Sequence, residues 1–249
     1  MVSAQEDCGL NGKVALVTGG ARGIGAAVCR SLAASGVTVH VADILDTDNT
    51  VTAIHATGGK ARGLNLEVTD RAAMARAVDG IVAEDGRIDI LVANAGICPA
   101  GTVAGDWDQW HRVIDVNVHG TQNSVAAVWD HMANGDGGAI VLVSSMAFYN
   151  GGVIVGTEYS ASKGAVAAMT RHLARNGGPV GIRCNAVAPG IIATDMTAGF
   201  SRPDPEQIPL RRLGTADDVA GPIRFLCGDA SAYMTGTVLN VTGGIVLAA

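Results

Sequence analysis

The stretch TGGARGIG, residues 18–25, decides the fold, because its glycines mark the change from one regular element to the next. Before it runs VALVT, residues 14–18, an apolar segment that predicts a buried strand. After it, residues 22–35 have the length and periodicity of a helix. A strand that leads through a glycine turn into a helix is the first half of a βαβ unit.

The spacing of the glycines in this turn, G-x-x-x-G-x-G, predicts a phosphate-binding site. Gly19 permits the turn, Gly23 lets a pyrophosphate approach the backbone, and Gly25 lets the helix pack closely on the strand. The helix N-terminus adds N–H donors and the positive end of its dipole. Arg22 and Ile24 lie inside the same turn and complete its candidate cofactor-binding residues.

An acidic residue twenty positions beyond Gly23, Asp43, bears on which dinucleotide is bound. Its carboxylate can accept hydrogen bonds from the adenosine ribose hydroxyls of NAD(H). A 2′-phosphate about 4 Å away would be repelled by about 1–4 kcal/mol, whereas the cation of Arg22 would attract that phosphate. We therefore expect NAD as the cofactor and NADP less readily, with Asp43 as a solvated turn residue as the alternative.

Apolar runs alternate with helical stretches along the whole chain. The runs that predict buried strands are VALVT (14–18), VTVHVA (37–42), ARGLNL (61–66), IDILVA (88–93), AIVLVS (139–144), IRCNAVA (182–188) and TVLNVT (237–242). The helical stretches are 22–35, 70–84, 106–133, 158–176 and 215–227. This alternation predicts an α/β fold, a Rossmann-type doubly wound sandwich with an about seven-stranded parallel sheet and helices on both faces.

No linker or repeat divides the chain, so residues 1–249 are expected to form a single NAD(P)-binding Rossmann domain with the substrate site built in. One region is irregular. Residues 195–212 contain Pro203, Pro205 and Pro209, which prevent a long helix. This segment is expected to be a flap over the site, or else an ordinary surface connection.

Composition argues against several classes of function. The net charge is −6 with no basic run, so neither nucleic acid nor a membrane is an expected partner. The five cysteines are scattered, which predicts reduced thiols and a cytoplasmic location. The six histidines lack ligand spacing, so no metal site is predicted. No stretch approaches the ~18 apolar residues that a membrane-spanning helix needs.

Polar or backbone-exposing residues follow the predicted strands where each one ends. In an open parallel sheet, ligands bind beyond the carboxyl ends of the strands. Besides the glycine turn and Asp43, this edge is expected to hold Asn94, Ala95, Gly96, Ser144, Ser145, Pro189 and Gly190. The pattern predicts one ligand site along that edge.

One of three tyrosines, Tyr159, precedes Lys163 by four positions in TEYSASKG, residues 157–164. On a helix beginning near Glu158 the two side chains share a face. An ammonium about 4 Å from the phenol favours phenolate by about 4 kcal/mol at intermediate dielectric, which lowers the pKa of the tyrosine. Tyr159 is therefore a candidate general acid or base, and Lys163 can hydrogen-bond a nicotinamide ribose. A solvated helix face is the alternative.

These motifs make the chain resemble the short-chain dehydrogenase/reductase family over nearly its whole length. The resemblance rests on TGGARGIG (18–25), ANAG (93–96), the Asn of DVNVHG (115–120), a serine pair before YSASK (159–163), and APGIIATDM (188–196). It implies that Ser145 orients the substrate oxygen, Tyr159 exchanges the proton, and Lys163 binds the ribose and lowers the tyrosine pKa. Asn117 would hold a water for proton relay, or else be a plain helix-interior amide.

The resemblance also implies cofactor contacts. Asn94 and Gly96 would line the adenosine and ribose side, and Thr194, with the backbone near Ile192, would reach the nicotinamide amide. Ala95, Pro189 and Gly190 belong to the same cofactor-binding segments.

The chain departs from the family pattern at several positions. Glu67, next to Val68, stands where the family usually has an aspartate near the adenine, and Ala93 stands where an asparagine is common. Ser145 lies fourteen residues before Tyr159, one more than expected, so Ser144 is its rival. Residues that either pack or shape a substrate pocket are Cys98, Trp107, Trp110, Met146, Phe148, Tyr149 and Asn150.

The expected activity is reversible hydride transfer between NAD(H) and a small-molecule secondary alcohol or ketone, with Tyr159 as general acid or base. An NADPH-dependent 3-oxoacyl-thioester (acyl carrier protein) reductase is the alternative enzyme. A non-catalytic nucleotide-binding redox sensor is the alternative of another class. The family usually assembles as tetramers, so the resemblance implies a homotetramer built through the helices at 106–133 and 158–176.

Overall fold

A computed structural model describes residues 8–101, 106–152, 155–199 and 204–247. Its centre is a parallel sheet of seven strands in the order β3-β2-β1-β4-β5-β6-β7. The strands are β1 (Val14–Thr18), β2 (Thr38–Asp43), β3 (Lys60–Asn65), β4 (Ile90–Ala93), β5 (Gly138–Val143), β6 (Ile182–Pro189) and β7 (Val238–Val241). The predicted Rossmann-type doubly wound fold is confirmed.

Helices cover both faces of the sheet. They are α1 (Gly23–Ala33), α2 (Asp48–Ala56), α3 (Arg71–Asp85), α4 (Trp107–Ile114), α5 (Gly120–Ala133), α6 (Ala147–Asn150), α7 (Thr157–Gly177) and α8 (Ala216–Cys227). One core cluster lies between the sheet and α1, α2 and α8, and the other between the sheet and α3, α5 and α7. Because the central strands are buried on both faces, they are nearly continuous runs of Val, Ile, Leu and Ala.

Three helical elements differ from the predictions, and one of them is the four-residue helix α6, Ala147–Asn150, which was not predicted. The helix predicted over 106–133 is interrupted by a π-helical segment, Asp115–His119, between α4 and α5. Helix α2 was not predicted, because only Thr50 and Ile54 of its nine residues are buried and its apolar pattern is weak.

The predicted flap, 195–212, contains two short 3₁₀ turns, Asp195–Thr197 and Pro205–Gln207. Its residues 200–203, including Pro203, lie outside the described part of the chain. Across the described ranges, no helix combines the length and the apolar character needed to span a bilayer. Within the same ranges, His, Cys, Asp and Glu side chains form no group of three or more that could hold a metal ion.

Candidate active site

The carboxyl ends of β1 and β4 are tied together by side chains. The hydroxyl of Thr18 accepts hydrogen bonds from the backbone N–H groups of Asn94 and Ala95, both at 3.1 Å. The Asn94 amide donates back to the carbonyl oxygens of Thr18 at 3.0 Å and Gly19 at 2.9 Å. Asn94 therefore fixes the start of the glycine turn, a contact that the resemblance did not specify.

The glycine turn needs its glycines for three different steric reasons. Gly19 has a φ of 67°, and a Cβ there would lie 2.8 Å from the Cα of Ala95. A Cβ at Gly25 would overlap the carbonyl oxygen of Gly19. Gly23 has a φ of 56°, and a Cβ there would project into the gap before Thr194, whose Cγ2 would be 3.6 Å away.

A cavity of about 390 Å³ opens between this turn and the segment after β6. Its lining includes Arg22, Gly23, Thr50, Thr194 and Asp195. A helix N-terminus with exposed backbone N–H groups beside such a space is suited to an anionic pyrophosphate. The residues present therefore fit a dinucleotide.

Asp43 is held at the end of β2 by backbone groups. Its two carboxylate oxygens accept hydrogen bonds from the N–H of Ala21 and the N–H of Leu45, each at 3.0 Å. Arg22 points elsewhere, because its guanidinium pairs with the carboxylate of Asp195 at 3.5 Å, with both side chains largely exposed. The carboxylate of Asp43 thus lies at the mouth of the glycine turn in a defined orientation.

Tyr159 lies on α7 and meets the two segments that follow β4 and β5. Its hydroxyl interacts with the side chains of Ser145 and Cys98. Ser145 is 9% exposed and also accepts a hydrogen bond from the N–H of Ala147 at 3.1 Å. Tyr159 as a whole residue is partly exposed.

The two candidate serines face different groups. The hydroxyl of Ser144 donates to the carbonyl oxygen of Lys163 at 2.8 Å and is buried. That hydroxyl is committed to the backbone of α7, whereas Ser145 reaches the phenol of Tyr159. The geometry favours Ser145 over Ser144 as the partner of Tyr159.

Lys163 is 5% exposed and lies one helical turn beyond Tyr159. Its Nζ donates to the carbonyl oxygen of Val143 at 2.9 Å and lies 5.7 Å from the centre of the Tyr159 ring. A Cβ at Gly96 would be 3.4 Å from that nitrogen, so the ANAG segment passes directly against the amine.

The protonation states differ from the expectation that Lys163 lowers the pKa of Tyr159. Burial raises the pKa of Tyr159 above its ordinary value, contact with Cys98 adds to the rise, and the Ser145 hydrogen bond opposes it. Burial lowers the pKa of Lys163 to about 8. The expected lowering is not seen in this arrangement, because burial of the phenol is the largest influence on the pKa of Tyr159.

Asn117 is fully buried in the π-helical segment. Its side-chain oxygen accepts from the N–H of Ile97 at 2.8 Å, and its amide donates to the carbonyl of Ile97 and the hydroxyl of Ser162, both at 3.0 Å. Its backbone carbonyl accepts from the hydroxyl of Thr121 at 2.8 Å. Asn117 therefore ties the segment after β4 to α7.

The predicted cofactor-binding residues after β3 and those after β6 lie in different surroundings. Glu67 is exposed and accepts from the N–H of Thr69 at 3.1 Å, while Val68 is buried in the core. A Cβ at Gly190 would lie 2.8 Å from the Cα of Thr242, beyond the end of β7. Pro189 and Ile192 continue the chain from β6 to Thr194, and the carbonyl of Pro189 accepts from the N–H of Met146 at 2.9 Å.

Several residues near the site were missed by sequence reasoning. Thr50 of α2 donates to the carbonyls of Gly20 at 3.1 Å and Ala21 at 3.0 Å, and so supports the glycine turn. Gln109 and Glu158 meet beside the segment after β4. Thr18 lies directly before the first glycine of the turn, and this position could have identified it as a residue that supports the turn. Nothing in the sequence connects Gln109 with Glu158.

Known proteins of similar sequence and structure identify the family of the chain. A family model described as Enoyl-(Acyl carrier protein) reductase matches residues 19–246. The chain is 40% identical over 247 residues to the 3-oxoacyl-[acyl-carrier-protein] reductase FabG of Thermotoga maritima, covering 96% of this chain and 99% of that protein. The chain belongs to the short-chain dehydrogenase/reductase family.

Other members of the family extend the comparison. Cyclohexanol dehydrogenase of Rhodococcus sp. is 39% identical over 264 residues, covering 95% of this chain and 97% of its own. The crystal structure of gox2181 superposes with a TM-score of 0.92 at 35% identity, covering 96% of this chain and 97% of that one. The short-chain dehydrogenase/reductase family consists of oxidoreductases that use a nicotinamide cofactor, and this chain is one of them.

Proposed function

We propose that this short-chain dehydrogenase/reductase transfers hydride reversibly between NAD(H) and a secondary alcohol or ketone. The observation that carries the proposal is the contact of the Tyr159 hydroxyl with Ser145, one helical turn from Lys163. Ser145 and Tyr159 supply the two hydroxyls that a carbonyl oxygen needs for orientation and proton transfer. A protein that only senses redox state has no use for such a pair.

When bound, the nicotinamide would accept or donate the hydride at the substrate carbon. The side chains of the protein would move the proton and hold the substrate and the cofactor in place. In the reducing direction the raised pKa keeps Tyr159 protonated, so the phenol is ready to give its proton to the carbonyl oxygen. Ser145 would hold that oxygen by donating its hydroxyl hydrogen. In the oxidising direction Tyr159 would take the proton back.

Lys163 and Asn117 are proposed to support proton exchange and cofactor placement. Lys163 is buried, its pKa is lowered to about 8, and its Nζ faces Gly96. An amine in that place can donate to a ribose hydroxyl and titrates near the pH at which the reaction would run. We propose that Asn117, which lies in the π-helical segment beside the Lys163 amine, holds a water molecule for proton relay.

The preference for NAD over NADP rests on the carboxylate of Asp43. Two backbone N–H groups orient it at the glycine turn, and Arg22 is turned toward Asp195. A 2′-phosphate near that carboxylate would lose about 1–4 kcal/mol, or roughly tenfold to a thousandfold in affinity. The remaining cofactor roles are proposed for the edge residues Gly19, Gly23, Gly25, Glu67, Asn94, Gly96, Pro189, Gly190, Ile192 and Thr194.

A second candidate is an NADPH-dependent 3-oxoacyl-thioester reductase. It is supported by the name of the Thermotoga maritima relative and by Arg22, whose side chain is 61% exposed and can turn toward a phosphate. The name of the Rhodococcus relative instead supports a cyclic secondary alcohol. The two candidates differ in both cofactor and substrate.

The deciding experiment is a turnover screen that follows nicotinamide absorbance. NAD(H) and NADP(H) are each paired with cyclohexanol, cyclohexanone, simple secondary alcohols, steroids, polyols and 3-oxoacyl thioesters. NAD(H) turnover on an alcohol or ketone would support the leading proposal, and NADP(H) turnover on thioesters would support the second. Tight nucleotide binding with silence on every pair would favour the redox sensor.

We also propose that the protein assembles as a homotetramer in the cytoplasm. Helix α7 exposes small residues along part of its length, which allow a close approach between helices. Light scattering at assay concentration tests the assembly, and a monomeric mass would contradict it.

A further inference from the structure

The segment after β4, residues 97–101, passes beside the catalytic helix α7 and is held at its first residue by Asn117. The Asn117 amide donates to the carbonyl of Ile97 and to the hydroxyl of Ser162 on α7, both at 3.0 Å. One amide thus joins the start of this segment to α7.

The other end of the same segment is held in the same way by a residue outside the predicted site. The Gln109 amide, from α4, donates to the carbonyl of Ala100 at 3.1 Å and to the carboxylate of Glu158 on α7 at 2.7 Å. Glu158 and Ser162 lie one helical turn apart on α7. Segment 97–101 is therefore bracketed by two amides with matching contacts.

Glu158 is 2% exposed, although it is a carboxylate directly before Tyr159. Two glycines make room for it. A Cβ at Gly156 would overlap the carboxylate, and a Cβ at Gly101 would lie 2.9 Å from its Oε1. The charge also lies in the first turn of α7, where the helix dipole favours an anion. Burial of a carboxylate with a charge-assisted hydrogen bond makes the contact with Gln109 a strong one.

Between the two anchored ends lies Cys98, whose side chain interacts with the Tyr159 hydroxyl. Segment 97–101 and the segment after β5 therefore meet at the Tyr159 hydroxyl, through Cys98 and Ser145. The position of segment 97–101 relative to the phenol depends on both anchors, because Asn117 holds only the end at Ile97.

We propose that Gln109 and Glu158 are a positioning pair that holds segment 97–101, and with it Cys98, against Tyr159. Neither side chain touches the reacting atoms. The pair sets the position of Cys98 relative to the Tyr159 hydroxyl, so its loss raises KM for the substrate and exposes Cys98, while nucleotide binding is retained. The KM part rests on the proposed function, and the exposure of Cys98 does not.

The test measures the rate at which iodoacetamide alkylates Cys98 in the full-length protein, mapped by peptide mass. Glu158→Ala should raise that rate by about tenfold, the effect of losing one hydrogen bond to a charged group. Glu158→Gln should keep the wild-type rate, because its amide oxygen still accepts from Gln109. Exposed Cys8 and buried Cys184 serve as references for intrinsic labelling and for global unfolding.

Substitution of Gln109 gives a second, independent arm. Gln109→Leu removes the donor for both the Ala100 carbonyl and the Glu158 carboxylate, and should raise Cys98 labelling by about tenfold or more. Gln109 is only half-buried, so this arm decides the question even if Glu158→Ala labels Cys184 and is unfolded. Gln122→Leu, the same change at an exposed position of α5, should leave the labelling rate as it is.

Two results would overturn the proposal: wild-type Cys98 labelling in folded Glu158→Ala, or wild-type Cys98 labelling in folded Gln109→Leu. In the activity arm, KM for the best substrate of the turnover screen should rise in Glu158→Ala and Gln109→Leu and keep the wild-type value in Glu158→Gln, with an unchanged Kd for NADH. Should no variant, wild type included, turn over any substrate, the proposed function fails, and the labelling series still decides the pair.

Discussion

The Nζ of Lys163 lies 5.7 Å from the centre of the Tyr159 ring and donates its hydrogen bond to the carbonyl of Val143 instead of to the phenol. The two side chains share a helix face as their spacing predicts, and the amine lies over the ring within cation–π distance. The phenol hydroxyl itself is in contact with Ser145 and Cys98. Proton transfer and amine titration are therefore separable in this site, and variants can address each one.

Replacing Tyr159 with Phe should lower kcat by about 10²–10⁴, the usual contribution of a positioned general acid or base. The ring and its packing remain, so NADH binding followed by fluorescence should be unchanged. Tyr233→Phe is the matched control, since that tyrosine is fully exposed and was not predicted to belong to the site. Turnover that survives in Tyr159→Phe would remove Tyr159 from the mechanism.

Lys163 should make stability depend on pH in the alkaline range. Its folded pKa of about 8 is below the ordinary 10.5, so the unfolded chain binds the proton more tightly between these values. Stability therefore rises with pH across this window, by up to about 3 kcal/mol.

The measurement is urea unfolding of the cofactor-free protein and of Lys163→Met from pH 7 to 10.5. The free energy of unfolding of the wild type should increase relative to that of Lys163→Met as the pH rises. A difference that is flat across this range would mean that the amine is not desolvated.

Asp43→Asn should shift the cofactor preference toward NADP. The amide oxygen can still accept from the N–H of Ala21, so the glycine turn stays in place while the charge is lost. The ratio of kcat/KM for NADP to that for NAD should rise by roughly tenfold to a thousandfold. Asp46→Asn, the same change on an exposed neighbour, should leave the ratio as it is. An unaltered ratio in Asp43→Asn would assign the preference to other residues.

Gly25→Ala should destabilise the glycine turn, because the added methyl overlaps the carbonyl of Gly19. Overpacking of this kind costs about 1–3 kcal/mol, and calorimetric titration should find NADH binding lost. Gly80→Ala in α3 is the control, since nothing lies within 4 Å of its Cβ position. That change should stabilise the protein by about 0.5–1 kcal/mol through helix propensity. NADH binding by Gly25→Ala with normal affinity would refute the steric argument.

Much of the fold follows from patterns that are local in sequence. Buried parallel strands show as apolar runs, and the glycine turn shows by its spacing, so the sheet and the ligand edge could be predicted. Helix α2 could not, because Thr, Asn and His have weak helix propensity and few of its residues are buried. The π-helical segment at Asp115–His119 was missed since a one-residue bulge leaves the apolar period nearly unchanged.

The candidate site could likewise be predicted only in part. The residue types at Ser145, Tyr159 and Lys163 indicate the chemistry, whereas the pKa values depend on burial and on Cys98, which the sequence places only near a loop. The burial of Glu158 depends on Gln109, forty-nine residues away, and on the missing side chain of Gly156. A contact between residues so far apart in the sequence cannot be predicted from local sequence patterns.

The place of Glu158 has an evolutionary consequence. Gly156 has a φ of −70° and a ψ of 161°, which any residue adopts, so its backbone does not require glycine. The three atoms nearest to a Cβ at that position all belong to the carboxylate of Glu158, two residues later. Mutations at these two positions should therefore be epistatic. A lineage must shorten Glu158 before it can enlarge Gly156, and the reverse order passes through a defective intermediate.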